Sequence, residues 1–118
     1  MRVFVDVDDT LVRWAPETRG VIHPYGNGAE DWGPNCDVIL LLRALKAEGA
    51  NITVWSGGGE WWAKHWAEKL IPNLYDSAID KYPRIPSQEE IYIDDLGSES
   101  GHYPWQRLVI RPMDLKWR

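Results

Sequence analysis

Cysteine is nearly absent: Cys36 is the only one in 118 residues. One thiol closes no intrachain disulfide and builds no thiolate metal cage, so a disulfide scaffold is excluded and a reducing, cytoplasmic setting is expected. Long apolar runs are missing too. The longest aliphatic stretch, Val38 to Leu42, falls far short of the ~20 residues that span a bilayer, so no membrane association is expected. Charged residues enter at Arg2 and Asp6 with no apolar segment behind them, and no secretory leader is expected. Basic residues are the minority, 13 Lys and Arg against 18 Asp and Glu, for a net charge of −5. That balance disfavours a protein that coats nucleic acid electrostatically, but leaves room for a local pocket that binds a phosphorylated end. Histidines are few, and His65 and His102 have no zinc-type spacing to other ligands. No repeat, low-complexity tract or linker divides the chain, and its length fits one domain over residues 1–118.

What is present is an alternation of strand and helix signals. Val3-Phe4-Val5-Asp6-Val7 is a short apolar run with β-branched residues, as expected of a strand buried on both faces. Residues 12–35 are punctuated by Pro16, Gly20, Pro24, Gly26, Gly28, Gly33 and Pro34, and Asn27-Gly28 is a hairpin-turn signal, so a small flap is expected there. A helix is predicted from Cys36 to Glu48, with Asn35 as N-cap, Asp37 in its first turn and Gly49 just past its end. Ile52 to Trp55 reads as the second strand. Gly57-Gly58-Gly59 follows, then a helix from Glu60 to Leu70 stopped by Pro72. Further strands are expected at Tyr75 to Ile79, Ile91 to Ile93 and Leu108 to Ile110. Between Asp80 and Glu90 there is room for a turn or two of helix, started by a Ser87…Glu90 capping box, and none is expected from Leu96 to Gln106. The fold class is α/β: a three-layer, Rossmann-like parallel sheet of about five strands.

In open α/β sheets the ligand crevice lies beyond the carboxyl ends of the strands, and polar residues collect at those ends here. The first strand runs into Asp6-Val7-Asp8-Asp9-Thr10, where Asp6 and Asp8 share a face while the chain stays extended. Two carboxylates that close either raise one pKa or recruit a divalent cation. Ser56 ends the second strand, and its hydroxyl, with the backbone N–H groups from Gly57 onward at a helix start, suits a phosphate. Asp94-Asp95 ends the fourth strand with hard oxygen ligands of the kind Mg²⁺ prefers. Lys81 lies between these two and would offset phosphoryl charge. Each piece alone has a plain structural explanation: a solvated turn, a helix start, a surface lysine. The consistent order at three strand ends is what points to a site.

That order resembles the haloacid dehalogenase superfamily of phosphohydrolases, across residues 2–111. Asp6-Val7-Asp8-Asp9-Thr10 matches its Asp-x-Asp-x-Thr motif, Ser56 its hydroxyl residue, Lys81 its basic residue and Asp94-Asp95 its acidic pair. Arg84 competes with Lys81 for the basic role. The resemblance implies that Asp6 is the nucleophile of an aspartyl-phosphate mechanism and Asp8 the general acid and base. It implies Mg²⁺ held by Asp6, the Asp8 backbone carbonyl and Asp94, with Asp95 as a further ligand or a partner of the ligands. Ser56, Gly57 and Lys81 would hold the phosphoryl oxygens, and Thr10 would shape the loop. The chain is short for the family, so a trimmed core with a minimal flap at residues 12–35 and no full cap is expected. An open site of that kind is completed by a large substrate or by a neighbouring subunit of a homo-oligomer.

Eight tryptophans are an unusual load. Trp14 and Trp32 bracket the flap beside Arg13, Arg19, His23 and Tyr25 and either pack it onto the sheet or stack on a nucleobase. Trp62 and Trp66 share a helix face and are expected in the core, with Trp61 partly exposed and Trp55 structural; Trp105 and Trp117 have no assigned place. The leading substrate expectation is a nucleotide or a phosphorylated nucleic-acid end, with a sugar phosphate or phosphoprotein as alternatives. A non-enzymatic phosphoacceptor resembling response-regulator receivers, or a binding module on the same fold, is the competing class. Receivers carry a lone acceptor Asp mid-chain, where this sequence has Trp55-Ser56.

Overall fold

The computed structural model describes residues 1–14, 32–81, 91–94 and 109–110. In chain order they form β1 (Arg2–Asp6), β2 (Val12–Trp14), β3 (Trp32–Pro34), α1 (Cys36–Ala47), β4 (Asn51–Ser56), α2 (Glu60–Leu70), β5 (Ser77–Asp80), β6 (Ile91–Ile93) and β7 (Val109–Ile110). The architecture is mixed α/β, compatible with a Rossmann-like fold. The five strands of the main sheet run parallel in the order β5-β4-β1-β6-β7. Counted along the chain, that is 3-2-1-4-5, as in the first five strands of a doubly wound dinucleotide-binding sheet.

The sequence builds this sheet through its alternation. Val3 and Val5 of β1, Ile52 and Val54 of β4 and Ile93 of β6 belong to one buried cluster with Val38 and Leu42 of α1 and Trp62, Ala63, Trp66 and Ala67 of α2. Both helices therefore cover the same face. This follows from chain direction: β1 to β4 and β4 to β5 step the same way across the sheet, and right-handed crossovers put both connections on one side. The residues between, Phe4, Trp55 and Tyr92, form the opposite face and are fully buried, their ring centroids 5.0–5.4 Å apart.

Helix α1 starts where Asn35 caps it, its side-chain oxygen accepting from the Val38 amide, and Gly49 at φ 92° turns the chain out after its last turn. Helix α2 spans the predicted Glu60–Leu70. Strand β5 begins at Ser77 instead of Tyr75, because the Tyr75 amide still bonds back to the Ile71 carbonyl and the Asp76 amide to the Ile52 carbonyl. β2 and β3 pair antiparallel with Trp14 opposite Trp32, the base of the expected flap. The Asn27-Gly28 turn, Arg19, His23, Tyr25, Arg84, the Ser87…Glu90 box, Asp95, His102, Trp105 and Trp117 lie outside the described residues, as do the side chains of Trp14 and Trp32. Among the described residues no helix is long and apolar enough to cross a membrane.

Candidate active site

The chain leaves β1 in one direction across the sheet and reaches β6, on the other side of β1, only after β5. The strand order thus reverses between β1 and β6, the place where open α/β sheets leave a crevice at their carboxyl ends. Asp6 ends β1 and Asp94 follows β6, whose Ile93 is paired with Val5. The two carboxylates flank the reversal point.

Lys81 joins them. It follows β5 directly, its amide donating to the Ser56 carbonyl at 3.0 Å. Its ammonium donates to Asp94 Oδ2 at 2.6 Å and to Asp6 Oδ1 at 3.5 Å, and lies 5.6 Å from the centre of the Trp55 ring. Asp6, Lys81 and Asp94 are all buried. Burial of charge is tolerated only with paired, hydrogen-bonded partners, and the two carboxylates and the indole face supply them. The sequence makes Lys81 the phosphate-binding candidate, with Arg84 as a competitor. The sheet register, which sets Ser56 beside Asp80, is what carries Lys81 into the site.

The loop after β1 is a tight turn. The Val7 carbonyl accepts from the amides of Thr10, Leu11 and Val12, and Asp9 takes a left-handed φ of 59°, a conformation Asp adopts more readily than most residues. This brings the buried Thr10 hydroxyl back to donate to Asp6 Oδ2 at 3.3 Å. Asp8, half-buried, accepts at Oδ2 from the Trp62 indole N–H at 3.3 Å. Trp62 is in the core as expected, but its link to Asp8 spans 54 positions and no spacing rule reveals it. His65, expected on the surface, is half-buried against Trp62 and Trp66, and that burial, with Lys69 nearby, holds its pKa below the ordinary value.

Ser56 is buried at the end of β4 and its Oγ accepts from the Gly58 amide at 3.0 Å. A hydroxyl used as acceptor in this way retains its proton as a donor. The exposed Gly57 comes next, and Gly59, φ 107°, is the N-cap of α2 and offers it no side-chain cap. The tightness of this corner accounts for one glycine: a Cβ on Gly58 would stand 3.0 Å from Trp62 Cδ1 and 3.3 Å from Ser56 Oγ.

Compared with protein-family models, curated proteins and solved structures, the chain matches none.

Among the described residues no three His, Cys, Asp or Glu side chains stand close enough to enclose a metal. Mg²⁺, however, is bound by one or two carboxylates with waters and substrate phosphate completing its shell. The chemistry of Asp6 and Asp94, hard oxygens gathered around one cation, fits that ion. The structure thus brings together Asp6, Lys81 and Asp94, sets Ser56 and Gly57 at the end of β4 beside β1, and holds Asp8 through Trp62.

Proposed function

We propose that the chain is a Mg²⁺-dependent phosphohydrolase of the haloacid dehalogenase type, acting on a phosphate monoester through an aspartyl-phosphate on Asp6. The observation that carries this reading is the Lys81 ammonium held between Asp6 and Asp94 where the strand order reverses. The sheet order supports it over the receiver reading, since receiver-type sheets run 2-1-3-4-5 and this one runs 3-2-1-4-5.

A carboxylate is nucleophilic at neutral pH without a general base. Its difficulty is approaching a phosphoryl group of like charge, which the ammonium beside it relieves. Asp6 attacks phosphorus and the ester bond breaks, the leaving oxygen taking a proton from Asp8. Asp8 then removes a proton from water, which attacks the same phosphorus, releasing inorganic phosphate and restoring the Asp6 carboxylate. The Ser56 hydroxyl, the Gly57 amide and Lys81 hold the phosphoryl oxygens, and the Trp62 indole keeps the Asp8 carboxylate in place. Asp6, the Asp8 carbonyl and Asp94 would hold Mg²⁺, with Asp95 as a further ligand or a partner of the ligands, and the ion would supply charge neutralisation when bound.

The test is phosphate release from p-nitrophenyl phosphate, nucleoside monophosphates, sugar phosphates, a phosphopeptide and 3′- or 5′-phosphorylated oligonucleotides, with Mg²⁺ and with EDTA. Mg²⁺-dependent turnover that Asp6→Asn abolishes is the expected result. No turnover of any substrate overturns the reading.

A further inference from the structure

Three large apolar side chains are exposed among the described residues: Met1, Leu40 and Trp61. Met1 precedes β1 at the amino end of the sheet, and Leu40 lies on α1. Trp61 stands in the first turn of α2, next to the candidate site, and is 57% exposed. Nothing in the helix itself asks for an indole there, since tryptophan is no better than an average helix former.

The ring has two neighbours that bear on the site. It meets Trp62 edge-on, centroids 5.8 Å apart and planes at 77°. It also lies near the glycine corner, where a Cβ on Gly59 would be 3.7 Å from its Cδ1 and 3.8 Å from its Nε1. Both neighbours lead to the chemistry: Trp62 donates to Asp8 Oδ2, and Gly59 donates its amide to the Ser56 carbonyl at 3.1 Å. A solvent-facing indole therefore stands one residue away from Asp8, which would protonate the leaving oxygen, and one residue away from Ser56, which would hold the phosphoryl group. A ring already packed against a neighbour loses less freedom when something stacks on it.

We propose that Trp61 is the leaving-group platform of this site, and that the substrates are monoesters whose leaving group carries a planar aromatic ring, nucleoside monophosphates in the first place. The inference rests on the phosphohydrolase reading. Every base offers a π-face, so stacking discriminates planar from aliphatic leaving groups strongly and among the bases weakly.

The experiment measures phosphate release by the wild type, Trp61→Phe and Trp61→Ala, using the four nucleoside 5′-monophosphates against glycerol phosphate. A second arm follows quenching of tryptophan fluorescence by a nucleoside monophosphate in the Asp6→Asn background, with and without Trp61→Ala. The expected result is a rise of roughly 10- to 100-fold in KM for all four nucleotides in Trp61→Ala. Glycerol phosphate should stay within about twofold, and Trp61→Phe should recover most of the loss. Equal loss on both substrate types, or none on either, overturns the platform while leaving the phosphohydrolase reading intact. If the wild type hydrolyses nothing, that reading falls and the leaving-group role falls with it, and the binding arm decides only whether Trp61 stacks on nucleotides: quenching that Trp61→Ala removes upholds stacking, and absent or unchanged quenching overturns it.

Discussion

Two lysine–aspartate pairs stand at opposite ends of the same sheet. At the amino end, Lys46 of α1 meets Asp76 at 2.7 Å, with both side chains 34% exposed. Asp76 also accepts from the Ile52 amide at 2.8 Å, and so ties α1 to the start of β4. At the carboxyl end, Lys81 meets Asp94 at 2.6 Å and Asp6 at 3.5 Å, with all three groups buried. The exposed pair needs no explanation beyond folding, since it costs little and satisfies a strand-end amide. The buried cluster is a poor way to stabilise a protein. Desolvation takes back most of what the Coulomb attraction supplies, and an apolar replacement of similar volume is often as stable or more so. It also sets two like charges around one cation. Its place where the strand order reverses is what the proposed phosphohydrolase chemistry would use.

The comparison breaks most visibly at Asp6. Asp6→Asn should lower phosphate release on the order of 10⁴-fold or more, while the thermal midpoint holds or rises as like-charge repulsion is relieved. Asp76→Asn should do the reverse, leaving turnover intact and lowering the midpoint. Loss of folding in Asp6→Asn, or loss of turnover in Asp76→Asn, would end the distinction between the two ends. Lys81→Met is the next largest effect. It leaves two buried carboxylates facing each other without the ammonium, and urea unfolding should show a loss of about 3–5 kcal/mol. Lys46→Met should cost about 1 kcal/mol or less. Mg²⁺ should return part of what Lys81→Met loses and nothing of what Lys46→Met loses, because only the carboxyl-end carboxylates would bind it.

Much of this was legible in the sequence, for local reasons. Asn35, Gly49 and Pro72 bound the two helices, and the predicted ends differ from the observed ones by one residue for α1 and none for α2. The β-branched runs place β1, β4 and β6. What stayed hidden depends on register and on distant pairing. The pairing of Ser56 with Asp80 is a property of the sheet, and it is what separates Lys81 from the rival Arg84, which the sequence leaves open. The covering of one face by both helices follows from the strand order, which the alternation of elements does not specify. Trp62 was legible as a core residue and illegible as the donor to Asp8, because burial follows from helix periodicity and the hydrogen bond does not.

Gly58 tests the corner between these levels. Gly58→Ala brings a methyl against Trp62 Cδ1 and Ser56 Oγ, and the resulting displacement of the two should lower kcat/KM roughly tenfold. A variant with unchanged kcat/KM would show that the corner's tightness serves packing alone, as the amino end does.

The smallest effect is the most specific to the amino end. The hydrogen bond from Lys46, then that from the Ile52 amide, holds the Asp76 carboxyl below its ordinary 3.8, with slight burial opposing. Its folded pKa is thus below its unfolded one, so folding favours the ionised form. The stability this gives is fully present above the unfolded pKa and is lost as pH falls through the folded one. The stability difference between wild type and Asp76→Asn should therefore be flat between about pH 7 and pH 5 and shrink below about pH 4. With both side chains a third exposed, it should be about 1 kcal/mol or less and should weaken in salt. Urea unfolding across that range measures it. A difference that persists in full at the acid end would mean that Asp76 acts through the shape of the β5 turn and not through its charge.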